Sequence, residues 1–384
     1  MEDDPELSAL LKDLEETDAN SATVDQKLHF CKRLLRGMRF DALDEMKYAD
    51  PNYMSMTNKH GELSAAKLFY TKAEKFAKLD GFVSYHWGAE AEKRAQQLKD
   101  VVGNRYGVVG MRCPRVQDEG LKAMLWVDRF SSPQSGPLFE QAKRYKFFFM
   151  EYLAFSEQAF VIASPQYFQR LWCLYEFVSF IAMRDVNNMF VGVTAFLEGD
   201  EDGVIWEGYA RCIRSINVDA ADCSHAEDRV ILRGLIEANF VSVEELNNFL
   251  KYAAVALLGR SILQLMAYER IQNLSEHFSE GKMIFIRYGQ SHRVPIDELA
   301  RDLGFDALAD ALATIAKEIC EWSTNEGKDT DTFQKQCTTR FNELALPELL
   351  SKQQTILRPD APLLELSAAV RALESETPPE PKDA

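Results

Sequence analysis

A chain of 384 residues, 46% hydrophobic and 27% charged, has the composition of a globular protein with room for two domains, or for one domain with a large extension. Its net charge of −16 and pI near 5.0 argue against a broad surface for nucleic acid or anionic membrane, though a local basic pocket stays open. Seven cysteines (Cys31, Cys113, Cys173, Cys212, Cys223, Cys320 and Cys337) are scattered without a C-x-x-C pair. That argues against a disulfide framework or a zinc site and fits a reduced, cytoplasmic setting.

The first stretch, MEDDPELSALLKDLEE, is acidic and lacks the apolar h-region of a signal peptide. Residues 1–24 are therefore expected to be frayed and disordered. Helical spacing follows near 26–49, where Leu28, Cys31, Leu34, Leu35 and Met38 recur, and again near 61–78. Residues 25–78 thus read as a helical extension. The texture changes at Asp80: GFVSYHW is a short apolar strand pattern, followed by a polar helix over 89–102. A second strand is AMLWVD (123–128), then a Pro/Gly loop (129–137) and a helix over 138–154. AFVIAS (159–164) is a third strand, residues 165–184 a helix with proline in its first turn, and MFVGVT (189–194) a fourth strand. Short continuous apolar runs separated by helices indicate parallel strands covered on both faces, hence a compact doubly wound α/β domain over 79–200.

From about residue 226 the pattern is almost all helical, with helices over 227–238, 242–259, 295–320 and 331–345. KMIFIRYG (282–289) is the one strand-like exception. The greasiest window, 249–268, is interrupted by Lys251 and Arg260, so a buried helix is expected there and no membrane span. Residues 201–358 read as a mostly helical C-terminal region and 359–384 as a flexible tail.

Ligands of open α/β sheets bind beyond the carboxyl ends of the strands. Those ends carry Ser84, Tyr85, His86 and Trp87, then Asp128, then Ser164 with Tyr167. The segment QRLWCLYEF (169–177) adds Glu176 inside an apolar helix, four residues after Trp172 and so on one helical face with it. Its position near the same rim makes it a candidate site carboxylate, partly desolvated by aromatic neighbours, which raises a carboxyl pKa. A solvated helix face is the competing reading.

The order F-V-S-Y (82–85), L-W-V-D (125–128), a Pro/Gly loop, then V-I-A-S-P-x-Y-F-x-R-x-W-C-x-x-E-F (161–177) resembles the TIR domain, the Toll/interleukin-1 receptor and plant-resistance module, over roughly residues 78–195. The W-C-x-x-E element, with S-x-x-Y just upstream, is the specific part. The resemblance implies a flavodoxin-like parallel sheet, here with flanking mostly helical N- and C-terminal regions. It also implies one of two activities in a signalling or defence role. The first is cleavage of the nicotinamide–ribose bond of NAD, with Glu176 as the catalytic residue and no cofactor beyond NAD as substrate. The second is non-catalytic scaffolding, by self-association or recruitment of other TIR domains through the loop at 129–137. In the first, Trp172, Tyr85 and Trp87 shape the pocket, and Ser84, His86, Asp128 and Ser164 contribute to substrate binding. Three features depart from the plant form of the motif: Arg170 in place of serine, His86-Trp87-Gly88 after the first strand, and the composition of the loop after Asp128. With the D-R-x-x-x-x-x-x-I-E segment at 228–237, they resemble a divergent branch like the TIR-like proteins of protists and algae.

A nucleoside ribosyl-transferring enzyme is a third class, since it shares the fold type and a key glutamate. GNRYGVVG (103–110) follows a helix pattern, not a strand, and reads as a surface loop. Cys173 reads as a small buried hydrophobe, with no histidine near it in sequence to activate it. Cys223 and His225 supply only two metal ligands.

Overall fold

The computed structural model describes residues 23–34, 36–39, 73–75, 79–86, 124–128, 149–192, 204–271, 284–287, 290–293, 295–322 and 330–376. Expectations for 1–22, 87–123, 129–148 and 377–384, including the Gly-rich stretch, Trp87 and the 129–137 loop, lie outside these residues.

The centre is a parallel sheet of β3 (Leu79–Tyr85), β4 (Met124–Val127), β5 (Ser156–Ile162) and β6 (Met189–Val191), in the spatial order β4-β3-β5-β6. Val83 aligns with Val127 on one side and with Phe160 on the other, and Val161 with Val191. All four residues of β4 are buried, as an apolar run covered on both faces must be. Gly81 leaves room on β3 for the Phe160 ring of β5, since a Cβ there would stand 2.2 Å from that ring. Phe82 stacks on Trp126 at 4.7 Å between ring centroids, tying β3 to β4. The chain is thus α/β, as its sequence indicates.

The N-terminal extension departs from expectation. Helix α1 (Val24–Leu34) begins with Thr23 and Gln26 capping each other's backbone N–H, a capping box. It ends at Leu34, well short of residue 49, and the chain enters β1 (Arg36–Arg39) through Gly37, a residue that helices disfavour. Residues 73–75, expected in a helix, form β2 (Ala73–Lys75). β1 pairs antiparallel with both β4 and β2, extending the sheet to six strands. The extension is therefore partly a sheet edge.

The expected helix over 165–184 is two elements. Pro165–Gln169 makes a 3₁₀ turn, Arg170 is extended (φ −100, ψ 123), and only then does α3 (Leu171–Met183) begin. The break is stitched by a distant segment: Leu171 N–H donates to Asp222 C=O at 2.9 Å, and Asp222 N–H to Gln169 C=O at 2.7 Å. Eleven residues of α3 are buried. The short α2 (Phe149–Ala154) packs beside it.

The C-terminal region is helical, with α4 (Val204–Arg214), α5 (Ala226–Asn239), α6 (Val243–Ile271), α7 (Ile296–Asp302), α8 (Asp306–Glu321), α9 (Thr330–Leu344), α10 (Leu346–Ile356) and α11 (Pro362–Glu376). A hairpin of β7 (Ile284–Arg287) and β8 (Gln290–Arg293) replaces the single strand expected there. The expected helix over 295–320 is split at Gly304, whose φ of +78 favours glycine. α6 is the hub, buried on all sides from Tyr252 to Leu258, with α7–α10 around it. Among the described residues no helix is long and apolar enough to cross a membrane.

Residues 359–384 are not simply a flexible tail. Leu363, Leu366 and Val370 of α11 are buried against α3 and its neighbours. Ser367 Oγ donates to Met183 C=O at 2.8 Å, and Arg184 forms an ion pair with Glu374. One continuous apolar core runs through the sheet and the helical region.

Candidate active site at the carboxyl ends of the strands

Glu176 lies in the second turn of α3, which packs across β3. The strand delivers Ser84 one residue before its end, and Ser84 hydrogen-bonds Oε2 of Glu176. Ser84 Oγ is also 2.7 Å from the hydroxyl of Tyr167, a fully buried side chain in the 3₁₀ turn. Tyr167 Oη in turn donates to Cys173 C=O at 3.2 Å, in the first turn of α3. Three elements therefore converge on one carboxyl group. The residue retains some surface exposure, but its carboxyl is enclosed by protein.

The electrostatics follow from that enclosure. Burial pushes the Glu176 carboxyl up to about 8, the Ser84 hydrogen bond opposes the rise, and the charge of Asp128 adds to it. Asp128 stands just past β4, so two acidic groups share the rim of adjacent strands. A perturbed carboxyl with a charged neighbour, at the carboxyl edge of a parallel sheet, marks a functional-site candidate.

Ser84, Asp128 and Glu176 are brought together. Tyr85 is not with them. Successive strand residues face opposite sides of a sheet, so its buried side chain leaves the face on which Ser84 meets Glu176. Its carbonyl accepts from the Cys173 thiol at 3.7 Å. Trp172 is turned to α5, where its indole N–H donates to Asp228 Oδ2 at 3.1 Å. His86 follows β3 directly, partly buried. Ser164 caps the 3₁₀ turn, and its enclosed hydroxyl makes no hydrogen bond among the described residues.

Arg170, the departure with most power to block the site, points elsewhere. Its guanidinium binds Asp222 and Ser224, on the segment that stitches the helix break. Among the described residues no basic side chain pairs with Glu176. Cys173 is buried, and its thiol is pushed well up by that burial and by Glu176, which disfavours the thiolate a nucleophile needs.

Tyr167 is the residue to which the sequence assigned no role. Its sequence signals are proximity to the end of β5 and its place in the S-x-x-Y element upstream of W-C-x-x-E; its contacts to Ser84 and Cys173 come from tertiary packing. No protein-family model, curated protein or solved structure matches this chain.

Proposed function

We propose that the chain is a TIR-like α/β protein that hydrolyses the nicotinamide–ribose bond of NAD, with Glu176 as the catalytic residue. The observation that carries this reading is the setting of Glu176. It is enclosed at the strand ends, held by Ser84, beside Asp128, and not neutralised by Arg170. The order β4-β3-β5-β6, which is 2-1-3-4 for the parallel strands, is the order of flavodoxin-type sheets and supports the finer fold assignment.

The chemistry suits one carboxylate. The C1′–N bond breaks with its electron pair passing to nicotinamide, which leaves neutral from a cationic linkage and needs no general acid. Water adds at C1′ and gives up a proton, so the products are nicotinamide, ADP-ribose and H⁺. The transition state is oxocarbenium-like, and ionised Glu176 stabilises it, with Asp128 adding a second negative charge nearby. The cationic substrate itself favours the ionised form of an acid that rests protonated near neutrality.

The test is NAD consumption by the purified chain against Glu176→Gln, which keeps the shape and removes the charge. Loss of a fixed electrostatic stabiliser lowers kcat by roughly 10²–10³-fold. Equal rates in both, or no turnover by folded wild type at high concentration, overturns the reading; the latter result favours a scaffold that binds other TIR-like domains.

A further inference from the structure

The hydrogen bonds behind Glu176 do not balance when the carboxyl is ionised. Four oxygens stand in a row: Glu176 Oε2, Ser84 Oγ, Tyr167 Oη and Cys173 C=O. Three contacts join them, and each contact needs one proton. The two hydroxyls supply only two, and the carbonyl supplies none. If Ser84 donates to a carboxylate and Tyr167 to the carbonyl, the 2.7 Å contact between the hydroxyls has no proton. If Tyr167 turns its proton to Ser84, the carbonyl contact is lost. A protonated Glu176 supplies the third proton. The row then runs in one direction, from Glu176 to Ser84, from Ser84 to Tyr167, and from Tyr167 to Cys173 C=O. Ser84 and Tyr167 are buried, where an unmade hydrogen bond is costly.

We propose that Tyr167 is a positioning residue that, by accepting from Ser84 and donating to Cys173 C=O, holds the resting proton on Glu176. Its bearing on turnover rests on the NAD reading above; its effect on the proton does not. Among the titratable groups on the elements packed around Glu176, Asp128 is the one that acts on its proton. β4 contributes Asp128, which favours the protonated form. The end of β3 contributes His86, and α3 contributes Cys173 together with Arg170, whose guanidinium is held by Asp222. Burial of the carboxyl, the largest influence, works in the same direction as the proton count, and only donation from Ser84 to the ionised carboxylate opposes it. Without the Tyr167 hydroxyl, Ser84 has no acceptor behind it and its proton goes to the carboxylate, so the ionised form gains.

The experiment is a pH titration of the folded chain followed by infrared difference spectroscopy, with Glu176→Gln to assign the carboxyl band. Tyr167→Phe keeps the ring that fills the core and is expected to lower the Glu176 midpoint by about one pH unit, the equivalent of one hydrogen bond. An unchanged or raised midpoint overturns the proposal. Wild-type protein carrying isotope-labelled tyrosine gives a second test that needs no variant. Tyr167 ceases to accept from Ser84 when Glu176 ionises, so a phenol C–O band must move with the carboxyl midpoint; a carboxyl that titrates with no tyrosine band moving overturns the proposal. If NAD turns over, the pH profile of kcat/KM in Tyr167→Phe moves to lower pH by the same amount. A spectroscopic shift without turnover sinks the NAD reading alone. Turnover with no spectroscopic shift sinks this inference alone.

Discussion

Two buried ionisable groups, Arg260 in the helical region and Glu176 at the sheet rim, meet opposite fates. Arg260 is only 2% exposed, on α6, and donates to the carbonyls of Val186, at 3.3 Å, and Met189. It also lies over the Phe341 ring, 5.7 Å from its centroid. Burial lowers its pKa to about 10, with Asp185 opposing, so it stays charged at neutral pH. Glu176 is pushed up to about 8 and rests protonated. Burial alone does not decide the state; the partners do. Arg260 faces fixed carbonyls that need donors, and its charge fastens α6 to the edge of the sheet. Glu176 faces a single hydroxyl and a second acid. The helical region uses its buried ion as a fastener, while the rim keeps its acid able to change state.

The comparison breaks most visibly at Arg260. Arg260→Ala removes two buried hydrogen bonds and leaves a void, and is expected to cost about 3–5 kcal/mol of stability by denaturant unfolding while the Glu176 midpoint stays in place. The stability–pH curve sharpens the contrast next. Glu151 on α2 is pushed up to about 7 by burial, so it joins Glu176 as an acid whose folded pKa exceeds the ordinary glutamate value of 4.5. The folded state then holds protons that the unfolded chain releases. Stability is full below 4.5 and falls as pH rises, through both groups up to about 7 and through Glu176 alone up to about 8. The slope is at most about 1.4 kcal/mol per pH unit per group. Glu151→Gln and Glu176→Gln should each flatten their own part of the curve, and Arg260 adds nothing in that range. For turnover, the sign is opposite. The ionised form of Glu176 is the active one, so kcat/KM for NAD rises with pH up to about 8 and levels above it. The smallest effect is Arg170→Gln. Its partner Asp222 is 68% exposed, so loss of the ion pair should change stability by less than about 1 kcal/mol and leave the Glu176 midpoint unmoved.

The parallel strands were legible because each is a short apolar run, and a strand buried on both faces has no other way to be written. β1 and β2 were not, since runs of four and three residues are too short to carry an alternation that can be read. Pro165 correctly marks a helical start, but nothing local announces the restart at Leu171, because Asp222 creates it from 51 positions away (222 − 171). Gly304 is a visible break that the strong apolar periodicity on both sides concealed. α11 was overshadowed by the Pro/Glu-rich residues after it, although Leu363, Leu366 and Val370 recur at helical spacing. At the site, Glu176 is legible as an acid in an apolar helix. Its hydroxyl partner is 92 residues away, and the roles of Tyr167 and Asp228 belong to contacts that no local pattern encodes.

α11 has a consequence for how the chain is made. Ser367 closes over the last carbonyl of α3 from 184 residues downstream. At ribosomal rates of about 5–20 residues per second, α3 waits roughly ten to forty seconds after its own synthesis for that cover. During that interval the wall that later backs α3 is apolar and open, the surface that holdase chaperones recognise on nascent chains. Completion of the sheet region is therefore timed by the arrival of α11, and truncation before Pro362 should leave the chain dependent on chaperones even though every residue of the rim has been made.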